Sequence, residues 1–228
     1  MQLILLYLAI IPSILLGFYI YKKDNIEKEP KSLLLKTIIS GILGGVIVIL
    51  LSIILKIPKY SYDTPLETLF YSFILVSLIE EAIKFILFYL FCYKKKEFNY
   101  RYDGIVYASF LALGFATYEN ILYVFTTQDI ITAIYRGVLT VPAHVFFAIF
   151  MGYYFGLAKH HRRYNQEKKE RKNLALAFLT PFVLHGFFDY ALLSKSSIGL
   201  MFFLLFIFVL YITSFKRVRE TSHEDKHI

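Results

Sequence analysis

Apolar residues fill nearly all of this chain, in stretches long enough to cross a bilayer, whose hydrocarbon core of about 30 Å takes about 20 helical residues. The stretches run over Gln2–Tyr21, Leu33–Ile57, Leu66–Cys92, Gly104–Phe125, Ile131–Leu157, Asn173–Leu193 and Ile198–Phe215. Only short polar gaps separate them. The pattern predicts an all-α, polytopic transmembrane helical bundle of about seven spans, a single transmembrane domain over 1–228 with no room for a separate soluble domain. The first stretch has no basic residue ahead of it and no small-residue cleavage pattern, and Lys22 and Lys23 follow it, so it reads as a retained helix rather than a signal peptide.

Basic residues alternate between the gaps. The first gap carries Lys22, Lys23, Lys28 and Lys31, and the third Lys94, Lys95, Lys96 and Arg101. The fifth carries Lys159, Arg162, Arg163, Lys168, Lys169, Arg171 and Lys172, and the tail Lys216, Arg217, Arg219 and Lys226. The other gaps hold little beyond Lys59 and Lys195, with Lys56 and Arg136 at helix ends. Cytoplasmic loops collect Lys and Arg. The N-terminus is therefore expected outside and the C-terminus in the cytoplasm, in a multi-pass protein of the cell membrane.

Composition agrees. The 228 residues are 57% hydrophobic and 18% aromatic, with a mean hydropathy of +0.57, far more apolar than a soluble domain. The formal net charge of +8 lies beside the spans, where loop bias and anionic lipid account for it, so no nucleic-acid partner is expected. One cysteine, Cys92, excludes an intrachain disulfide and a cysteine metal cage. Gly41 with Gly45 and Gly152 with Gly156 are spaced for close helix packing. Pro142 and Pro181 interrupt the fifth and sixth spans, and polar residues follow each.

Ionisable residues inside such spans are the chemistry to explain, because each costs roughly 2.5–3.5 kcal/mol near a helix centre unless paired or turned inward. The third span holds Glu80, Glu81 and Lys84, the fourth Glu119, the fifth His144, and the sixth His185 with Asp189. The catalytic core is accordingly expected in spans three to six, about 66–193, with the other spans as support. Lys84 is read first as a structural ion pair with Glu80, four residues before it on one helix face. Glu81 then needs a partner elsewhere, and of the two glutamates it is the one expected to do chemistry. Asp189 shares a face with His185 and is suited either to orient it or to act directly. Arg136, near the outer end of its span, reads as a snorkelling anchor.

The loop-derived orientation also gives depths. At 1.5 Å per residue, Glu81 lies roughly 18–22 Å from the outer end of its span, Glu119 about 9 Å, His144 about 12–20 Å and His185 about 12 Å. Most fall in the outer half of the membrane, so side chains far apart in sequence are expected to meet in one layer. Paired carboxylates beside a lysine titrate as a unit, and histidine serves proton transfer or zinc equally well. The last span lacks the lysine a retinal protein needs, and no internal repeat of the transporter kind is visible.

With these positions marked, the sequence resembles the PrsW-type intramembrane proteases, distant relatives of the CAAX-processing and bacteriocin-processing membrane proteases. The resemblance is carried by Glu80-Glu81-Ala82-Ile83-Lys84, Tyr102 to Tyr107, Gly114 to Asn120, Pro142-Ala143-His144 with Met151-Gly152, and His185-Gly186 with Asp189-Tyr190. It implies site-1-type cleavage of a single-pass membrane protein, such as an anti-sigma factor, near its extracytoplasmic side. The family's paired glutamates fall on Glu80 and Glu81, and its last histidine motif on His185 and Asp189. The wider superfamily often has His where this chain has Glu119, and the PrsW-like branch has Glu there.

Two mechanisms are compatible with these residues. In one, preferred on sequence grounds, no cofactor is used: Glu81, helped by Glu80, draws a proton from water while His185, His144 and Asp189 stabilise the oxyanion or protonate the amine. In the other, His144, His185 and Glu119 hold a zinc ion that activates the water. Either requires Glu81 and His185 to lie within reach through one water. The rival functions are a proton-coupled transporter, with the carboxylates and histidines as a relay, and a non-catalytic membrane scaffold.

Overall fold

A computed structural model describes residues 2–57, 64–194 and 197–228; Lys59 and Lys195, expected in the outer loops, lie outside the described residues. Helices follow one another at Gln2–Lys23, Lys31–Ile54, residues 65–93, Arg101–Thr127, residues 130–163, Glu167–Leu193 and Ser197–His223. Among the described residues there is no strand, only one isolated bridge between Tyr100 and His227. Six of these helices are long and apolar enough to cross a membrane. The third in order completes the expected seven: it runs as α-helix Pro65–Phe70, π-helix Tyr71–Ser77, α-helix Leu78–Phe88 and π-helix Tyr89–Tyr93. Thr64 starts it with a capping box: its side chain accepts from the Glu67 N–H at 3.2 Å, and the Glu67 carboxylate accepts from the Thr64 N–H at 3.1 Å.

The fourth helix is the axis of the bundle, with buried residues all round it. Glycine sets how closely its neighbours approach. A Cβ at Gly41 would strike the Leu111 carbonyl, and one at Gly114 the Ile38 carbonyl, which joins the second and fourth helices backbone to backbone. Gly104 and Gly152 press on each other's carbonyls, and Gly156 on that of Arg101, which joins the fourth and fifth. Conversely, Leu3, Phe18, Leu35, Ile53, Met201, Leu204 and Phe208 on the first, second and seventh helices point outward, as lipid demands.

The fifth helix departs from regular geometry at its proline. Pro142 has no N–H to offer the Val138 carbonyl one turn earlier. The turn widens into a π-helix over Arg136–Thr140, and the Tyr211 hydroxyl of the seventh helix donates to that carbonyl at 2.8 Å.

All four basic segments meet at one end, as the alternating charges predict. Asp225 of the tail caps the fourth helix, accepting from the Tyr102 N–H at 2.9 Å, while the Arg101 N–H donates to Lys226 and the Ile228 N–H to Asn99. Asn25 of the first loop donates to Ser222 at 2.7 Å, Arg163 of the fifth loop meets His227 at 2.7 Å, and the Tyr107 hydroxyl donates to Glu29.

Candidate active site

The third and sixth helices are drawn together where the third is π-helical. Gly186 leaves space that the Phe73 ring fills, and the Ser77 hydroxyl donates to the Phe182 carbonyl at 2.6 Å. One turn further, Glu81 Oε1 stands 2.8 Å from His185 Nδ1. The convergence expected from depth is thus direct contact.

Lys84 sits at the centre. Its Nζ donates to Glu81 Oε1 at 2.8 Å and to Glu80 Oε2 at 3.3 Å, lies 3.2 Å from His144 Nδ1, and rests 4.1 Å from the Phe115 ring centroid. An ammonium has no acceptor, so His144 Nδ1 must accept. Its Nε2 therefore carries the hydrogen and donates to Glu119 Oε2 at 3.0 Å. His185 has the same ring orientation, Nδ1 inward on Glu81 Oε1 and Nε2 toward Asp189 Oδ2 at 3.3 Å, but both of its nitrogens face carboxylate oxygens, so its Nδ1 donates to Glu81 where His144 Nδ1 accepts. Each imidazole thus points Nδ1 into the centre and is steadied outside by an acid. Phe147 stacks on His185, with centroids 5.1 Å apart, and the two imidazoles stand edge to face at 5.2 Å.

The structure extends the sequence expectations at Lys84 and departs from them at Glu119 and Arg136. The expected Lys84–Glu80 ion pair is present at 3.3 Å, and Lys84 also reaches Glu81, nearer at 2.8 Å, because positions three and four residues back are both within reach. Glu119, expected among metal ligands, occupies the outer nitrogen of His144. Arg136 is no snorkelling anchor: its guanidinium lies 3.2 Å from Glu119 Oε2, its Nε donates to Asn120 at 3.2 Å, and its Cζ is 4.0 Å from the Tyr123 ring centroid. Asn120, fully buried, holds this arrangement by donating to the Ala9 carbonyl at 3.0 Å. The fourth and fifth helices are joined by a tight turn in which Gln128 takes φ 51° and Asp129 caps the next helix, which sets Arg136 opposite Glu119.

Glu81, Lys84, His144 and His185 are almost wholly enclosed, whereas the side chains of Glu119, Arg136 and Asp189 keep 20%, 15% and 19% of their surface. The centre therefore opens toward those three. Four carboxylates (Glu80, Glu81, Glu119, Asp189) against two fixed cations (Lys84, Arg136) leave two negative charges if both imidazoles are neutral. Two protons or one divalent cation balance them. Ligand atoms of Glu80, Glu81, His144 and His185 lie within 4.8 Å of one another. Tetrahedral zinc places its ligands about 3.4 Å apart, so a modest contraction suffices. Two carboxylates, two inward imidazole nitrogens and acids behind both rings make a donor set that fits zinc.

Acids and histidines able to activate water, sunk between the helices of a membrane bundle, define a hydrolase that works inside the bilayer. Comparison with known proteins gives the family. The family described as PrsW family intramembrane metalloprotease matches residues 29–214, and the chain belongs to it, a multi-pass membrane protease that hydrolyses peptide bonds. It is 38% identical to Protease PrsW of Oceanobacillus iheyensis over 94% of this chain and 95% of that one. The Clostridioides difficile protein of the same name is 34% identical, over 100% and 95%, and that of Geobacillus kaustophilus 36%, over 94% and 90%. No solved structure matches the chain.

Proposed function

We propose that this protease cuts a single-pass membrane protein, an anti-sigma factor being the type of substrate, near its extracytoplasmic side, with a zinc ion held by Glu81, His144 and His185. The observation that carries this reading is the shared orientation of the two histidines, Nδ1 inward and Nε2 against Glu119 or Asp189. Two histidines and a glutamate are a common catalytic zinc set with one position left open. Zinc bound there supplies Lewis acidity for the water and the scissile carbonyl. That orientation moves the reading away from the metal-free mechanism preferred on sequence grounds.

Glu80 is then the general base. Glu81 Oε1 is taken by both Lys84 and His185, whereas among the described residues the Glu80 carboxylate hydrogen-bonds to Lys84 alone, at 3.3 Å. Glu80 takes a proton from water as the water oxygen bonds to the peptide carbon. It returns that proton to the nitrogen as the C–N bond breaks, leaving a carboxyl and an amine. Glu119 and Asp189 hold the rings. The substrate enters from the side of Glu119, Arg136 and Asp189, where the centre is open.

The test uses purified protein in detergent or liposomes with a single-span reporter. Cleavage should stop with Glu80→Gln and Glu81→Gln, stop on chelation, and return with zinc. Undiminished cleavage by either variant would overturn the assignment.

A further inference from the structure

The Lys84 side chain stands where the donor atoms converge. Its Nζ meets three of the four grouped donor residues, Glu81, Glu80 and His144, at 2.8, 3.3 and 3.2 Å, and the fourth, His185, contacts the same Glu81 oxygen. An ammonium binds through the lone pairs of its acceptors, and a metal ion needs those same lone pairs. His144 Nδ1 has only one. The two cations therefore exclude each other.

We propose that Lys84 governs the metal affinity of this centre: its ammonium and the zinc ion alternate in one seat, and zinc enters only by expelling Nζ. The inference rests on the zinc reading above. The seat suits either occupant, because the lysine supplies positive charge to Glu80 and Glu81 whenever the metal is away. Its exit lies along Phe115, whose ring it already touches, toward Glu119 one turn further on the same helix. The lysine thereby protects two buried carboxylates from standing uncompensated, and it selects against weakly held ions, which must outcompete an ion pair before they bind.

The experiment compares the full chain with Lys84→Met and Lys84→Gln, each stripped by chelator in detergent and titrated with zinc against a chromophoric competitor. Elemental analysis gives the stoichiometry, and melting curves are recorded with and without zinc. Lys84→Gln keeps polar hydrogens at this position and guards against a folding defect in Lys84→Met. The expected result is one zinc per chain in all three proteins, bound at least tenfold more tightly by both variants. The variants should also melt lower than wild type when stripped and gain more from zinc. Equal or weaker binding by the variants would overturn the alternation and leave the zinc centre standing. Zinc bound by none of the three would overturn both.

Discussion

Replacing Glu119 by Gln separates an acid that orients a ligand from one that is a ligand. In the structure Glu119 Oε2 receives the His144 Nε2 hydrogen at 3.0 Å and stands 3.2 Å from the Arg136 guanidinium, while the grouped donor atoms come from other residues. Gln preserves size and an acceptor oxygen but loses the charge that strengthens both contacts. Losing such an outer partner typically lowers metal affinity or activity by about 10- to 100-fold, or about 1.4–2.7 kcal/mol in the barrier. The expected variant therefore folds, binds one zinc per chain, and cleaves a single-span reporter about 10- to 100-fold more slowly, with the loss in kcat rather than KM. Arg136→Gln leaves the His144 contact in place and should fall short of that loss. Zinc abolished outright by Glu119→Gln would make Glu119 a ligand, as the sequence suggested; unchanged kcat would refute any role through His144.

Other outcomes follow from the same contacts. Glu81→Gln removes the nearer carboxylate from Lys84 and the one facing His185 Nδ1 and should cost about 3–5 kcal/mol of stability, as when a buried pair is broken; Glu80→Gln should melt closer to wild type yet lose about 10²- to 10⁴-fold in activity. Equal melting of the two would contradict the difference in their bonding. Gly152→Ala sets a Cβ against the Gly104 carbonyl, which cannot yield as a side chain can, and should cost about 1–3 kcal/mol by overpacking, read as a lower melting temperature. In the first cytoplasmic loop, burial pushes the Asp24 carboxyl up to about 6, against the pull of Lys28, and burial together with the negative charge of Asp103 pushes Glu29 up as well. The protonated forms suit the fold; for Asp24 this stability is present below its unfolded value of about 3.9 and is lost as pH rises through about 6. The melting advantage of Asp24→Asn over wild type should grow across that interval; a constant difference would show that Asp24 does not titrate there.

The spans and the cluster of Glu80, Glu81, Lys84, Glu119, His144, His185 and Asp189 were readable because charge inside an apolar stretch is costly and therefore informative. What the chain hid is decided between helices. That Lys84 meets Glu81 and His144 as well as Glu80 depends on helices far along the chain, which bring His144 and His185 to the same centre. Arg136 looked like an end-of-helix residue because its partner lies across a turn whose tightness depends on the backbone of Gln128. The π-helical turns leave no mark in hydrophobic spacing, yet each extra residue in a turn rotates the remainder of the helix by about 100°, and two of them lie just before Glu80 and His144.

The fourth helix has a consequence for how the protein is made. Of the six helices long and apolar enough to span a membrane, it is the least hydrophobic, and two of its polar side chains are satisfied from opposite directions along the chain: Asn120 by Ala9 before it, Glu119 by Arg136 and His144 after it. As it leaves the ribosome its later partners do not yet exist. Its stable insertion should therefore depend on the fifth helix, whose Arg136 and His144 close around Glu119. The catalytic centre of this membrane protease thus depends on one of its own spans being completed by a later one.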